Sequence, residues 1–147
     1  MAAHAIHQMP VIGYPERKAA NLSDPEIRRA LSPTAIRGFF NIAREWALSE
    51  SQTRGLLGGI AASTLHAWKS SPDKRALDQD TLTRISLVVG IYKGLHTYFG
   101  DPGDYWITHP NESPLFGGAV PIDFMVNAGL IGMYEVRKML DAWSIGH

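Results

Sequence analysis

Serine, histidine and aspartate are all present in the chain, and their spacing decides what chemistry they can do. A serine nucleophile needs a base within hydrogen-bond reach and a sharp turn to present it, and no G-x-S-x-G elbow occurs. The stretch from Gly55 to Ser63 has the glycines of a phosphate loop but neither a lysine to reach a phosphate nor a strand before it. His4 and His7 are close together with no other ligand beside them, and His66, His96 and His109 share no metal-site spacing. His96 falls on the apolar stripe of its own helix, where a hydrogen-bonded interior histidine belongs. Asp101 and Asp104 flank a Pro-Gly turn and Asp123 lies early in a helix, both ordinary aspartate positions. The chain has no cysteine, which removes thiol nucleophiles, Cys-ligated zinc and disulfides together. No catalytic residue, metal or cofactor is assigned, and the expected class is a protein without catalytic activity.

The remaining chemistry is recognition. Gln52 to Lys69 has the spacing of a helix-turn-helix, with Gly55 as the small residue over which the second helix crosses. Gly59, followed by Ile60, makes the turn, and Leu65 and Trp68 anchor the second helix inward. Ser63, Thr64, His66, Ala67 and Lys69 then face outward. Hydroxyls and an imidazole reach phosphates and base edges, and Arg54 and Lys69 neutralise backbone charge, so the candidate DNA contacts are Gln52, Arg54, Ser63, Thr64, His66 and Lys69. Alanines on the reading face, and Gly58 at the end of the first helix, predict weak binding by one copy. A homodimer on a two-fold operator would double the contacts.

The elements that must position these residues read as helices throughout. Residues 1 to 31 form an irregular arm interrupted by Pro10, Pro15 and Pro25, with at most a turn of helix near Pro25 to Leu31. Ser32-Pro33 reads as N-cap and first helical residue of a helix ending near Leu48, with Ile36, Phe39, Phe40, Ala43 and Trp46 on one face. Short helices follow to Leu57 and from Ala62 to Lys69. Asp80 is the expected cap of a longer helix through Leu82, Ile85, Val89, Tyr92, His96 and Phe99, ended by Gly100. A helical turn around Trp106, a loop from Asn111 to Gly118, a short helix from Pro121 to Ala128 and a last helix from Met133 to Trp143 complete the chain. No alternating strand is present, and the fold class is all-α. The domain reading is an arm 1–31, a helix-turn-helix module 32–100 and a small helical module 101–147. The apolar stripes on the helices 33–48 and 80–99 are too wide for one small core and also suggest a homodimer.

The chain has 147 residues and a net charge of zero, with 14 Lys and Arg against 14 Asp and Glu, enough length for one ordinary domain or two small ones. The zero conceals a gradient. Residues 33–75 carry six basic residues against three acidic ones, a local +3, and residues 101–147 carry two against six, a local −4. No basic start and apolar run mark residues 1–15 as a leader, and no apolar run approaches the roughly 20 residues that span a bilayer, so the expected compartment is the cytoplasm with no membrane contact.

The back half contains Trp106-Ile107-Thr108-His109-Pro110-Asn111, Leu115-Phe116-Gly117-Gly118 and Pro121-Ile122-Asp123 in that order. This run resembles the MbcA/ParS/Xre antitoxin C-terminal toxin-binding domain, with its Trp-x-x-x-Pro-Asn, Leu-x-Gly-Gly and Pro-Ile/Leu-Asp. Upstream, "LLGGIAASTLHAWKS" and "LDQDTLTRISLVVGIYKGLHTYFGD" are similar to the Xre-like helix-turn-helix of the same antitoxins. The likeness covers roughly residues 33–145. It implies an antitoxin of a type II toxin–antitoxin pair that occludes the active site of a RES-domain, NAD-consuming toxin and represses its own operon. The matching positions Trp106, Pro110, Asn111, Leu115, Gly117, Gly118, Pro121, Ile122 and Asp123 would mostly keep the fold. The residues implied to meet the toxin are Leu115, Phe116, Tyr134, Arg137, Lys138, Asp141, Trp143 and His147. Ala67 stands where an arginine is common before the tryptophan.

Two consequences of that reading are open to checking. An acidic back half suits a toxin pocket that holds an anionic dinucleotide, and deleting the last fifteen residues is expected to free the toxin while leaving the helix-turn-helix folded. The alternative is a stand-alone helix-turn-helix regulator whose C-terminal module senses a small ligand.

Overall fold

The computed structural model describes residues 20–145, and every regular element in that span is helical. The arm residues 1–19, His4 and His7 among them, and His147 lie outside the described residues.

Helix α1 (Pro25–Glu45) begins well before the expected Ser32-Pro33 start, so residues 25–31 are helical rather than irregular. Its N-cap is Asp24, whose carboxylate accepts the Glu26 amide at 2.9 Å, and Pro25 occupies the first turn. Pro33 sits inside the helix. An interior proline costs about 3 kcal/mol, and burying Ile36, Phe39 and Ile42 returns about 1.5–3 kcal/mol each, so the buried face carries the helix through it. Ser32 is therefore no cap. Its fully buried hydroxyl donates to the Arg28 carbonyl at 2.6 Å and accepts the Leu77 amide at 2.8 Å, which ties α1 to the loop after the third helix.

The helix stops at Glu45, short of Leu48, in a Schellman closure. The Leu48 amide reaches the Ala43 carbonyl and the Ala47 amide reaches Arg44, both at 3.0 Å. Ala47 takes the left-handed conformation, φ 53°, that this closure usually gives to glycine.

Helix α2 (Glu50–Leu56) opens with a reciprocal capping box between Ser49 and Gln52. Gly58 and Gly59, both at positive φ, make the turn into α3 (Ala62–Ser70). A 3₁₀ turn at Pro72–Lys74 leads to α4 (Gln79–Phe99). Its cap is Asp78 rather than Asp80: the Asp78 carboxylate accepts the Thr81 amide at 2.8 Å. Residues 85–92 are buried without exception, so α4 is the central rod of the molecule, with α1 packed on it, the final helix along it and α5 (Gly103–Ile107) at its C-terminal end.

The chain closes with α6 (Pro121–Ile145), which is broken at Gly129, φ 70° and ψ −150°. The break matches the expected separation of two helices. The segment before Gly129 leans on α2, and the segment after it packs along α4 through Met133, Val136 and Leu140, all fully buried. The stripes that suggested a dimer are thus covered within the chain, that of α1 by α4 and that of α4 by α1 and α6. Met133, Val136 and Leu140 also make the last fifteen residues part of the core, so their deletion would expose it rather than spare the helix-turn-helix.

Candidate functional site

The candidate DNA contacts lie on the outward side of α3 and on α2. Leu65 is buried as expected, and Trp68 is half-buried. Ser63, His66 and Lys69 are exposed, and Thr64 is half-buried. Most of the candidate contacts are held within the chain. His66 Nε2 lies 2.5 Å from Glu50 Oε1, so a carboxylate accompanies the imidazole at the surface. Lys69 Nζ stands 5.9 Å from the centre of the Phe40 ring. Arg54 Nε donates to the Ile60 carbonyl at 2.7 Å and braces the turn. Gln52 accepts the Ser49 amide through its carbonyl oxygen and donates through Nε2 to Asp123 Oδ1 at 3.1 Å. Beside α3, the end of α1 and the start of α2 bound a cleft of about 480 Å³ with Phe40, Ala43 and Leu48 in its walls and Arg44, Glu50 and Lys69 among its polar residues.

Gly55 does not have the role expected of it. A Cβ at Gly55 would lie 2.6 Å from Val126 Cγ1, so the close approach is to α6 rather than to α3. With the Gln52–Asp123 hydrogen bond this contact locks the first segment of α6 to the first helix of the helix-turn-helix. A second tie runs from the end of α1: Asp104 Oδ1 accepts Trp46 Nε1 at 2.9 Å and meets His96 Nε2 at 2.9 Å. His96 is therefore a partnered histidine, its ring tilted against that of Tyr92 with centres 4.3 Å apart. Burial, and then the hydrogen bond that the Tyr92 hydroxyl donates to Glu45 at 3.2 Å, holds the Tyr92 phenol well above the ordinary tyrosine range.

In the back half, the Asn111 amide and carbonyl bond Ala119 and Gly118 at 3.1 and 2.8 Å, which closes the loop on itself with Gly117 and Gly118 at positive φ. Phe116 is buried between Trp106 and Phe124, and Leu115 is half-buried. Trp143 belongs to an aromatic cluster with Tyr98, Phe99 and Trp106. Arg137, placed on the surface by the sequence reading, is 1% exposed. Its Nε donates to Asp141 at 3.2 Å, and its guanidinium fills the space that a side chain at position 90 would take. Tyr134 and Lys138 are exposed and Asp141 is half-buried.

Two family models account for most of the chain. The antitoxin Xre-like helix-turn-helix domain matches residues 24–90, and the antitoxin Xre/MbcA/ParS C-terminal toxin-binding domain matches residues 95–146. The uncharacterized protein y4oB of Sinorhizobium fredii (strain NBRC 101917 / NGR234) is 35% identical over 122 residues, 82% of this chain and 92% of that protein. The chain belongs to the Xre/MbcA/ParS antitoxin family. It is an antitoxin of a toxin–antitoxin pair that joins a DNA-binding helix-turn-helix to a toxin-binding region, as the resemblance implied.

The start of the first match at residue 24 coincides with the Asp24 cap of α1. Among the described residues of the antitoxin, no helix is long and apolar enough to cross a membrane. The sequence reading of its sites left out Arg44 beside the cleft, Glu50 on His66, Asp123 on Gln52, and the exposed Ile131 and Ile145 of α6. The first three are visible only through contacts between distant parts of the chain. The two isoleucines carried a local signal, because both lie on the side of α6 opposite Val136 and Leu140.

Proposed function

We propose that this antitoxin neutralises a RES-domain, NAD-consuming toxin by binding over its active site, and that as a homodimer it represses its own operon through α3. The observation that carries the reading is the pairing, in one chain, of an Xre-like reader with a toxin-binding region of net charge −4. A pocket that holds an anionic dinucleotide is expected to be electropositive, and an acidic partner associates faster with such a surface. On the DNA side, Ser63, Thr64 and His66 supply short polar groups, while Glu50 and Asp123 offset positive charge at the reading face. That balance supports weak binding by one copy and use of two half-sites.

The structure decides how the reading should be tested. Truncation breaches the core, and charge reversal at Asp141 strips the buried Arg137 of its carboxylate, so neither isolates docking from folding. The exposed carboxylate Glu112 and the half-buried Glu135 are better sites. The toxin of the antitoxin's own operon is expressed alone and with the antitoxin while cellular NAD is measured. Loss of NAD with the toxin alone and its restoration by the antitoxin is the expected result. With Glu112→Lys and Glu135→Lys together, association slows about tenfold at low salt and the difference shrinks toward 1 M salt. An NAD pool untouched by the toxin would refute the assignment of its chemistry.

A further inference from the structure

The large hydrophobic side chains that stand exposed among the described residues are Tyr98, Tyr105, Ile131, Tyr134 and Ile145, and all five fall inside the toxin-binding match. None falls within residues 24–90. Three of them are on α6, where Ile131 is 76% exposed, Tyr134 48% and Ile145 87%. With Lys138 and Ala142, also exposed, they recur at spacings of three and four residues and form one stripe on the face away from α4. At 1.5 Å per residue the stripe is about 21 Å long. Its central charge is paired: Lys138 Nζ sits 5.6 Å from the centre of the Tyr134 ring and 3.2 Å from Glu135 Oε1. The stripe is therefore apolar and locally near neutral, although the segment around it is acidic.

Resting on the antitoxin reading, we infer that this stripe, Ile131–Tyr134–Lys138–Ala142–Ile145, is the apolar seat of the toxin. Among the described residues the front half leaves no comparable side chains uncovered, so the exposure is concentrated in the part of the chain whose family binds a toxin. A second copy fits less well. Two stripes pairing alone would offer a footprint of roughly 21 by 10 Å, on the order of 200 Å² per copy, against about 800 Å² per partner in a stable complex. A globular toxin that cups α6 also covers its flanks. The division of labour is then kinetic: the acidic surroundings steer the encounter and set its salt dependence, while the stripe sets how long the complex lasts.

The test measures association and dissociation between the full-length antitoxin and the purified toxin of its own operon, with Ile131→Glu, Ile145→Glu and the pair. The replaced side chains are mostly exposed, so thermal melting is expected to stay near that of the parent. Each single change is expected to raise the dissociation rate about tenfold or more and the pair about a hundredfold, with the association rate and its salt dependence nearly unchanged. Tyr105→Glu, away from α6, serves as the comparison and is expected to have less effect. Dissociation within twofold of the parent overturns the inference. If the pair also converts a dimer to a monomer by light scattering, the seat belongs to a second copy. If neither changes, and removal of residues 1–19 alone accelerates labelling of a cysteine placed at position 131, it belongs to the chain's own arm. A parent antitoxin that does not bind the operon's toxin refutes the antitoxin–toxin reading itself, a result distinct from the loss of the stripe.

Discussion

Gly90→Ala sets two effects of opposite sign against each other at the centre of the molecule. In a helix interior alanine is favoured over glycine by about 1 kcal/mol, so an otherwise free position in α4 would gain stability. Position 90 is not free. The added Cβ would lie 2.2 Å from Arg137 Nη1, 2.6 Å from Cζ and 3.0 Å from Cδ. An arginine tip could swing aside at a surface, but this residue is 1% exposed and held by Asp141. Either α4 and α6 separate, at a cost typical of overpacking of about 1–3 kcal/mol, or the guanidinium loses its carboxylate, a loss of about 3–5 kcal/mol for a broken buried pair. The cheaper of the two at least cancels the helix gain. The expected result is a net destabilisation of up to about 2 kcal/mol, seen as a lower urea midpoint at unchanged slope and a lower melting temperature. The pair Gly90→Ala with Arg137→Ala should be more stable than the sum of the two single losses, because each removes what the other obstructs. A Gly90→Ala protein more stable than its parent would refute the packing argument.

Two further expectations concern the helix ends. Ala47→Gly removes the left-handed strain of the α1 closure, worth about 1–2 kcal/mol, and gives back about 0.4–1 kcal/mol because glycine frees the unfolded chain; a net gain of up to about 1.5 kcal/mol, and a melting temperature higher by a few degrees, is expected in calorimetry. At the start of α4, the backbone and hydroxyl of Thr81 hold the Asp78 carboxyl below the ordinary aspartate range. A lowered folded-state value means that the stabilisation is present above the unfolded value, about 3.9, and is lost as pH falls through the folded one. Asp78→Ala should therefore cost about 1 kcal/mol at pH 7 and converge on the parent below pH 4 in urea titrations, while Asp78→Asn keeps the cap and loses the pH dependence. Parallel stability curves for parent and Asp78→Ala from pH 7 to pH 3 would rule the cap out.

The fold was legible wherever the signal was local. The capping box at Ser49, the Gly58-Gly59 turn and the break at Gly129 are each written in a few adjacent residues. Ser32-Pro33 has the local form of a helix start and is overridden because the apolar face on either side of it is continuous and buried. Asp78 and Asp80 are near-equivalent caps in sequence, and only the Thr81 amide distinguishes them. Gly55 carries its reason 71 residues away, at Val126, and Arg137 carries its own at Gly90. For the arginine a hint was present, since Met133, Arg137 and Leu140 share one side of α6. A lone charge on that side reads as a surface residue until the glycine opposite it is known. The candidate DNA contacts on α2 and α3 were read as outward groups, but the carboxylates that meet Gln52 and His66, Asp123 and Glu50, come from other elements than the residues they meet.

The lock between α2 and the first segment of α6 bears on how such antitoxins can diversify. Gly55 and Val126 fill one another's space, and Gln52 and Asp123 complete one another's hydrogen bonding. A reader transplanted onto a foreign toxin-binding half would meet a bulky residue or a void at that seam. An exchange of halves between relatives is therefore expected to keep the fold only where positions 52, 55, 123 and 126 travel together.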